Sequence, residues 1–312
     1  MKIDIVDSRV ATPEEWDHIW NNCEYATYFH SRQWAEIWQR HTKGRIKPAP
    51  RLVVFSDGKK ALLPFSVFTT LLRRTKKYLS SPAGTFGGWI STDQLQDQHL
   101  EPMLNFISNE YKNLTWRLNP YDVLNSKVKV EPLQPDSTHV LNLKQNFSDI
   151  YKSWTKGHKS AVTKAIREGI AVTIARDLQD WKNYFKIYSG SLKKWGKNVT
   201  SKYTFSLFEI MFGLDSPYIK LWLAKYRNQA VSGALCFYSK KHVVYWHGAS
   251  SAQYTHLRPA NLLLYEIIKD SESKNYLWFD FNPSGGHEGV ANFKKSFGTT
   301  VKDCPIILRD SR

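Results

Sequence analysis

The apolar positions of the first third of the chain come in short runs of strand length. Residues 51–56 and 61–68 are two such runs, split by Asp57-Gly58-Lys59-Lys60, whose Asp-Gly pair suits a hairpin turn. A third run, 78–90, is interrupted by Pro82, Gly84 and the Gly87-Gly88 pair. Pro102 then predicts the first turn of a helix, because proline lacks the amide that a first turn leaves unused. Met103, Leu104, Ile107 and Tyr111 follow it at helical spacing. Residues 114–118 form the next predicted strand, running into Asn119-Pro120.

The second half repeats that order. Residues 218–224, 230–238 and 243–249 predict three successive strands, with turn residues between them. Pro259 opens a helix whose buried stripe is Leu263, Leu264, Ile267 and Ile268, and a strand over 276–281 runs into Asn282-Pro283. Pro132 to Thr138 is rich in proline and polar residues and precedes a predicted strand over 139–143. The pattern therefore predicts an α/β (α+β) chain of two tandem domains, 1–145 and 146–312, each a mixed sheet flanked by helices.

Composition narrows the class. Hydrophobic residues make up 42% and aromatics 14%, which is enough to build packed cores. Lys2, Asp4 and Asp7 stand where a secretory leader would be apolar, and no apolar run reaches the roughly 18 residues of a membrane span. A cytoplasmic location is the expectation. Cys23, Cys236 and Cys304 have no zinc spacing and an odd count, so reduced thiols are expected, and no metal site. The formal charge of +16 favours polyanionic partners: RNA, a phosphate-bearing ligand or an anionic membrane surface.

Several segments together resemble the Fem branch of the GNAT superfamily, with its acetyltransferase-like relatives of the polysaccharide-associated type. They are Phe29-His30-Ser31-Arg32-Gln33-Trp34-Ala35-Glu36-Ile37-Trp38, Phe86-Gly87-Gly88, the basic stretch Lys156-Gly157-His158-Lys159 through Arg167-Glu168-Gly169, and Asn292-Phe293-Lys294-Lys295-Ser296-Phe297-Gly298. The resemblance spans about residues 15 to 305 and implies two GNAT-like domains, with the acceptor bound on the first and the donor on the second. It implies an acyltransferase without a dedicated cofactor, using acyl-CoA or a charged tRNA as co-substrate and an amine of a cell-envelope or exopolysaccharide precursor as acceptor. Two departures stand out. Glu36 occupies the place of a family lysine that helps hold a diphosphate, which points away from a nucleotide-linked peptidoglycan precursor. Arg258-Pro259-Ala260-Asn261 occupies the place of the glycine-rich pyrophosphate loop.

Direct acyl transfer needs a neutral amine, two aligned reactants and stabilisation of a tetrahedral oxyanion. The resemblance implies that Lys294 supplies a cation near the donor ester, oriented by Phe293; the plainer alternative is a solvated surface lysine. Tyr245 and His247 are expected on one face of a strand, with His247 as a candidate general base or simply a hydrogen-bonded structural histidine. Asp280 and Asn282 are expected to share a face, with Asp280 taking the ammonium proton or ordering the loop. His158, Lys159, Lys164 and Arg167 form a basic cluster suited to phosphate, or a solvated helix face, on a helix whose inward residues are expected to be Ala161, Val162, Ala165 and Ile166. Arg258 adds a cation at a helix start. Trp34, Gly87, Gly88, Arg117 and Asn119 are expected to line the acceptor cleft. The alternative of a different class is a non-catalytic protein that keeps the fold and binds nucleic acid or a membrane surface through its charge.

Overall fold

Strand β1 (Ile5–Val10) opens the chain and helix α1 (Pro13–Asn22) follows, started by a reciprocal cap between Thr12 and Glu15 and by Pro13 in its first turn. Helix α2 (Arg32–His41) starts on the Ser31 side chain, which accepts from the Trp34 amide. Short strands follow: β2 (Ile46–Pro48), β3 (Arg51–Phe55), β4 (Lys60–Leu63), β5 (Ser66–Thr69) and β6 (Lys76–Leu79). Helix α3 (Asp97–Glu110), β7 (Leu114–Arg117) and β8 (Leu133–Gln134) complete the first half. This computed structural model describes residues 2–69, 75–195 and 202–309.

The expected hairpin forms between β3 and β4, with Gly58 in the left-handed region. The run 61–68, expected as one strand, is two. Pro64 interrupts it, β4 joins a three-stranded sheet β1-β3-β4, and β5 turns into a separate sheet. Of the third run only Tyr78 and Leu79 lie in a strand, at the end of β6. Helix α3 starts five residues before Pro102, because the His99 ring and the Gln96 backbone cap each other and His99 Nε2 reaches Asp57 at 3.0 Å. Pro102 thus lies inside the helix and not at its start.

The remaining elements are β9 (Ser137–Asn142), α4 (Phe147–Ser153), α5 (Lys156–Arg167), β10 (Ile170–Ile174), α6 (Leu178–Trp195) and α7 (Phe205–Gly213). They continue with β11 (Ile219–Tyr226), β12 (Gln229–Tyr238), β13 (His242–Ser250), α8 (Pro259–Ser273), β14 (Trp278–Pro283), α9 (Glu288–Lys295), β15 (Thr300–Asp303) and β16 (Ile306–Arg309). On α5, Val162 and Ala165 are buried as expected, but Ile166 is exposed: it lies one step past the buried stripe.

Two sheets repeat one pattern. In the first unit the order is β2-β5-β6-β7-β16-β8; in the second, β10-β11-β12-β13-β14-β9-β15. Antiparallel neighbours lead to a parallel pair, β6/β7 crossed over by α3 and β13/β14 crossed over by α8. The next strand then runs antiparallel, β16 beside β7 and β9 beside β14. Chain contacts accordingly divide the protein into one unit running to Ser137 and resuming at Lys302, and another of Thr138–Val301. The expected split at 145 differs at both ends, because β9 is claimed by the sheet of the second unit and β16 by that of the first. A tail returning across a domain leaves no local periodicity to announce it. The core of the second unit packs α5 and α8 against one face of its sheet through Val162, Leu263, Ile267, Phe279 and Phe281. That of the first gathers Phe65, Trp89, Met103, Ile107 and Trp116.

Candidate active site

Strands β13 and β14 pair for only three residues, His242↔Trp278, Val243↔Phe279 and Val244↔Asp280, after which β13 runs on to Ser250 without β14. At the point of separation β13 carries a bulge. Tyr245 faces Cys236 and His247 faces Leu235, leaving Trp246 as an extra residue. The bulge inverts the expected alternation. Tyr245 turns to the α8 side, near Phe281, whereas His247 turns the other way and stands among the rings of Tyr184, Tyr188 and Phe208.

The gap opened by this separation leads into a cavity of about 640 Å³, whose wall includes Tyr245, Gly248, Leu263, Leu264 and Phe293. Its opposite side comes from α6 and β12, at Gly190, Ser191, Ser232 and Gly233. Burial pushes the Tyr245 phenol far above its ordinary range, so it keeps its proton at neutral pH. Helix α8 enters the wall by its first turns, preceded by Arg258, an exposed residue held in the left-handed region at φ 62°. Such a conformation is costly for a side chain with a Cβ, and the adjoining helix N-terminus suits an anion.

Beyond the end of β14 lies a buried polar group of residues. Asp280 is fully buried, and its Oδ1 accepts from the Thr138 hydroxyl at 2.5 Å and the Asn282 amide at 2.7 Å. Asn282 takes a left-handed conformation, and its carbonyl accepts from Lys294 Nζ at 2.5 Å. Lys294 is only 4% exposed, whereas its neighbour Lys295 is exposed. This rules out the solvated-lysine alternative. Around it several buried atoms lack hydrogen-bond partners: Asn282 Oδ1, Ser284 Oγ and both ring nitrogens of His139. Burial, then Lys294 and Lys295, hold the His139 pKa below its ordinary value. Lys294 does not itself line the cavity; Phe293, the residue before it, does.

The other candidates fall into three groups. His247 Nδ1 lies 2.6 Å from the Tyr184 hydroxyl, and burial pushes the ring down to about 3, too low to take a proton near neutral pH. It fits the structural histidine. His158 is not part of an outward basic face. It falls on the buried stripe of α5, packs on Phe293 and Phe297, and lies 3.3 Å from Asn261 Nδ2, with burial and then Arg258 lowering its pKa. Lys159 Nζ donates to the Lys152 carbonyl, Lys164 is half-buried, and Arg167 is exposed beside Glu168.

In the first unit, the expected cleft residues are engaged by other residues of the same unit. Trp34 is fully buried and donates to Ser81 Oγ; Asn119 Nδ2 donates to the Tyr25 carbonyl. Arg117 pairs with Asp136 at 2.5 Å and donates to the Gly84 carbonyl. Gly87 pairs with Leu118 and its Cβ would lie 2.4 Å from Ser80 Oγ, while Gly88, at φ 123°, would touch the Trp116 ring. The close approach these glycines permit is to the chain itself. Glu36 is held by Arg32 on the same helix. Sequence reading missed the contribution of α6 to the cavity, along with Gly233 and Gly248. Glycines inside strands were the signal available, since they weaken a strand unless something packs closely against them.

Residues 155–295 match the family model described as "Acetyltransferase (GNAT) domain". No curated protein matches the chain. Among solved structures it is similar to FemX, at 14% identity and a TM-score of 0.75, covering 97% of each chain. It is similar also to a conserved protein of unknown function from Bacteroides thetaiotaomicron (10%, TM-score 0.61, covering 97% of this chain and 99% of that one). A third likeness is to L-PGS from Bacillus licheniformis (11%, TM-score 0.60, covering 96% and 93%). The separated parallel pair, its bulge and its crossover helix all fall within the matched segment. Residues 155–295 thus resemble a GNAT acetyltransferase domain, and the chain as a whole shares the fold of FemX.

Proposed function

We propose that the protein is an acyl- or aminoacyltransferase that binds its donor, an acyl-CoA or a charged tRNA, in the cavity of the second unit. The acceptor is an amine on a cell-envelope or exopolysaccharide precursor. The observation that carries this reading is the burial of Lys294 beside unsatisfied polar atoms, next to the residue that closes the cavity wall. A buried cation surrounded by spare acceptors and donors costs stability, and such costs concentrate where a site serves a ligand.

In the proposed reaction the neutral amine attacks the donor carbonyl carbon and forms the C–N bond. Charge collects on the carbonyl oxygen, where the Lys294 ammonium stabilises it. Collapse breaks the C–S or C–O bond, and the proton released by the amine balances the one that the leaving thiolate or alkoxide takes up. Tyr245, protonated and in the cavity wall, is the residue placed to supply that proton. His247 has no part in the reaction. Asp280 orders the turn at Asn282 and so fixes the carbonyl that holds Lys294. Phosphates of the donor meet the start of α8 and Arg258, and the charge of +16 draws them in.

The test is incubation with acetyl-CoA and with a set of charged tRNAs, together with amine-bearing envelope precursors, followed by mass spectrometry of donor and acceptor. Transfer of the acyl mass from one donor class is the expected result. Binding of neither donor class under any condition would overturn the reading in favour of a non-catalytic binding protein.

A further inference from the structure

The outermost strand of a sheet presents amides and carbonyls that pair with another chain unless something blunts them. Most edge strands here are blunted. Strand β1 has a bulge between Ile5 and Asp7 and carries Asp7 and Arg9, and β2 holds Lys47 and Pro48. Strand β4 starts on Lys60 and bridges to Ile90, β8 is two residues long between Pro132 and Pro135, and β15 holds Lys302 and Asp303. Strand β10 differs. It is an edge of the second unit's sheet and reads Ile170-Ala171-Val172-Thr173-Ile174, with no charge, no proline and no bulge against β11. The Ala175 amide donates to the Leu221 carbonyl at 2.8 Å, in register with the β10/β11 pairs. Alternation then turns the amides and carbonyls of Ile170, Val172 and Ile174 outward, where they meet no partner among the described residues. The Ile174 side chain is left 37% exposed.

We infer that β10 pairs antiparallel with β10 of a second copy of the chain, about a two-fold axis at Val172. In that register Val172 exchanges both backbone hydrogen bonds with the partner's Val172, and Ile170 does so with the partner's Ile174. The outward groups of the strand are all used, and Ile174 gains an apolar neighbour. The flanking charges fit the same register. Glu168 comes opposite the partner's Arg176, and Arg167 opposite the partner's Asp177. Arg176 and Asp177 are exposed and make no ion pair among the described residues, and Glu168 has only Arg167, at 3.6 Å. A slip of two residues would set Glu168 against Ile174 or Leu178 instead, so the charges select one register. Such a contact is self-complementary and closes at the dimer. None of these residues lines the cavity of the proposed donor site.

Sedimentation velocity of the full chain should show a step from 36.3 kDa to twice that mass as concentration rises. At dimer concentrations the amides of Ile170, Val172 and Ile174 should exchange more slowly with solvent. Those of Ala171 and Thr173, already turned to β11, should not change. Glu168→Lys puts like charges together at both ends of the pairing, and so does Arg176→Glu. Each alone should weaken the dimer by at least about tenfold. Mixed in equal amounts, the two variants should associate again, because each then meets the charge opposite to its own. A chain that stays monomeric up to about 200 µM, an affinity of about −5 kcal/mol, overturns the pairing and leaves the edge to a strand of another protein. A dimer that neither substitution weakens, or that mixing fails to restore, overturns it as well.

Discussion

The hydroxyl of Tyr245 lies over Gly248, so close that a Cβ on residue 248 would be 1.8 Å from the oxygen. The bulge at Trp246 brings the two together, since it turns Tyr245 to the same side as the residue three positions on. Gly248→Ala therefore has to displace the Tyr245 ring from its place in the cavity wall. Overpacking of this kind costs about 1–3 kcal/mol of stability. Transfer should fall by at least tenfold in both Gly248→Ala and Tyr245→Phe, with Tyr245→Phe nearly as stable as the wild type. Steady-state rates alongside thermal unfolding separate the two effects. Wild-type rates in Tyr245→Phe would remove the hydroxyl from the mechanism.

Lys294 demands a different comparison. Because it is buried and donates to the Asn282 carbonyl, Lys294→Met leaves that carbonyl short of a partner, at about 1–3 kcal/mol. Loss of an oxyanion donor should lower turnover by about 10²–10³-fold in addition. Exposed Lys295→Met should change stability by no more than about 0.5 kcal/mol and rate very little. Single-turnover transfer, measured well below the unfolding temperature of each variant, decides the assignment. A Lys294→Met enzyme that is less stable but equally fast would make the residue a structural clamp.

Acid should destabilise the protein in a defined window. Burial holds His30 down to about 4 and His247 down to about 3, against an ordinary value of 6.5. Between those values the unfolded chain binds protons that the folded one refuses, so stability is full above about pH 6.5 and falls as pH drops toward 4 and then 3. His247→Gln should flatten the profile of urea midpoint against pH over that range. An unchanged slope in the variant would show that other groups govern acid unfolding.

Asp122 carries the opposite sign. Burial raises its pKa from 3.8 to about 6, so the folded state binds the extra proton between those values and loses stability as pH rises through them. A shift of that size is of the order of 3 kcal/mol at neutral pH. Asp122→Asn, which retains an acceptor for the Leu124 amide, should thus raise the melting temperature at about pH 7.5 and change it little at about pH 4. Destabilisation at neutral pH would show that the hydrogen bonds of the carboxylate outweigh the cost of burying its charge.

Much of the fold was legible because local periodicity and punctuation sufficed for it. The strand triplet of the second half, the helix behind Pro259, the buried stripe of α8 and the two-domain repeat follow from residue spacing, proline and turn residues alone. The family resemblance pointed to Phe293 and Lys294. What the sequence could not determine turns on contacts between distant segments. Alternation along β13 places Tyr245 and His247 together, but one extra residue at Trp246, accommodated only against β12, sends them to opposite faces. His158 looks basic in sequence and is half-buried, because the aromatic rings of Phe293 and Phe297 arrive from α9 and the turn after it. Gly87 and Gly88 read as room for a ligand until Ser80 and Trp116 fill that room. Periodicity reports which side of its own element a residue occupies; only the packing of other elements against that side decides whether it meets a cavity, a ring or water.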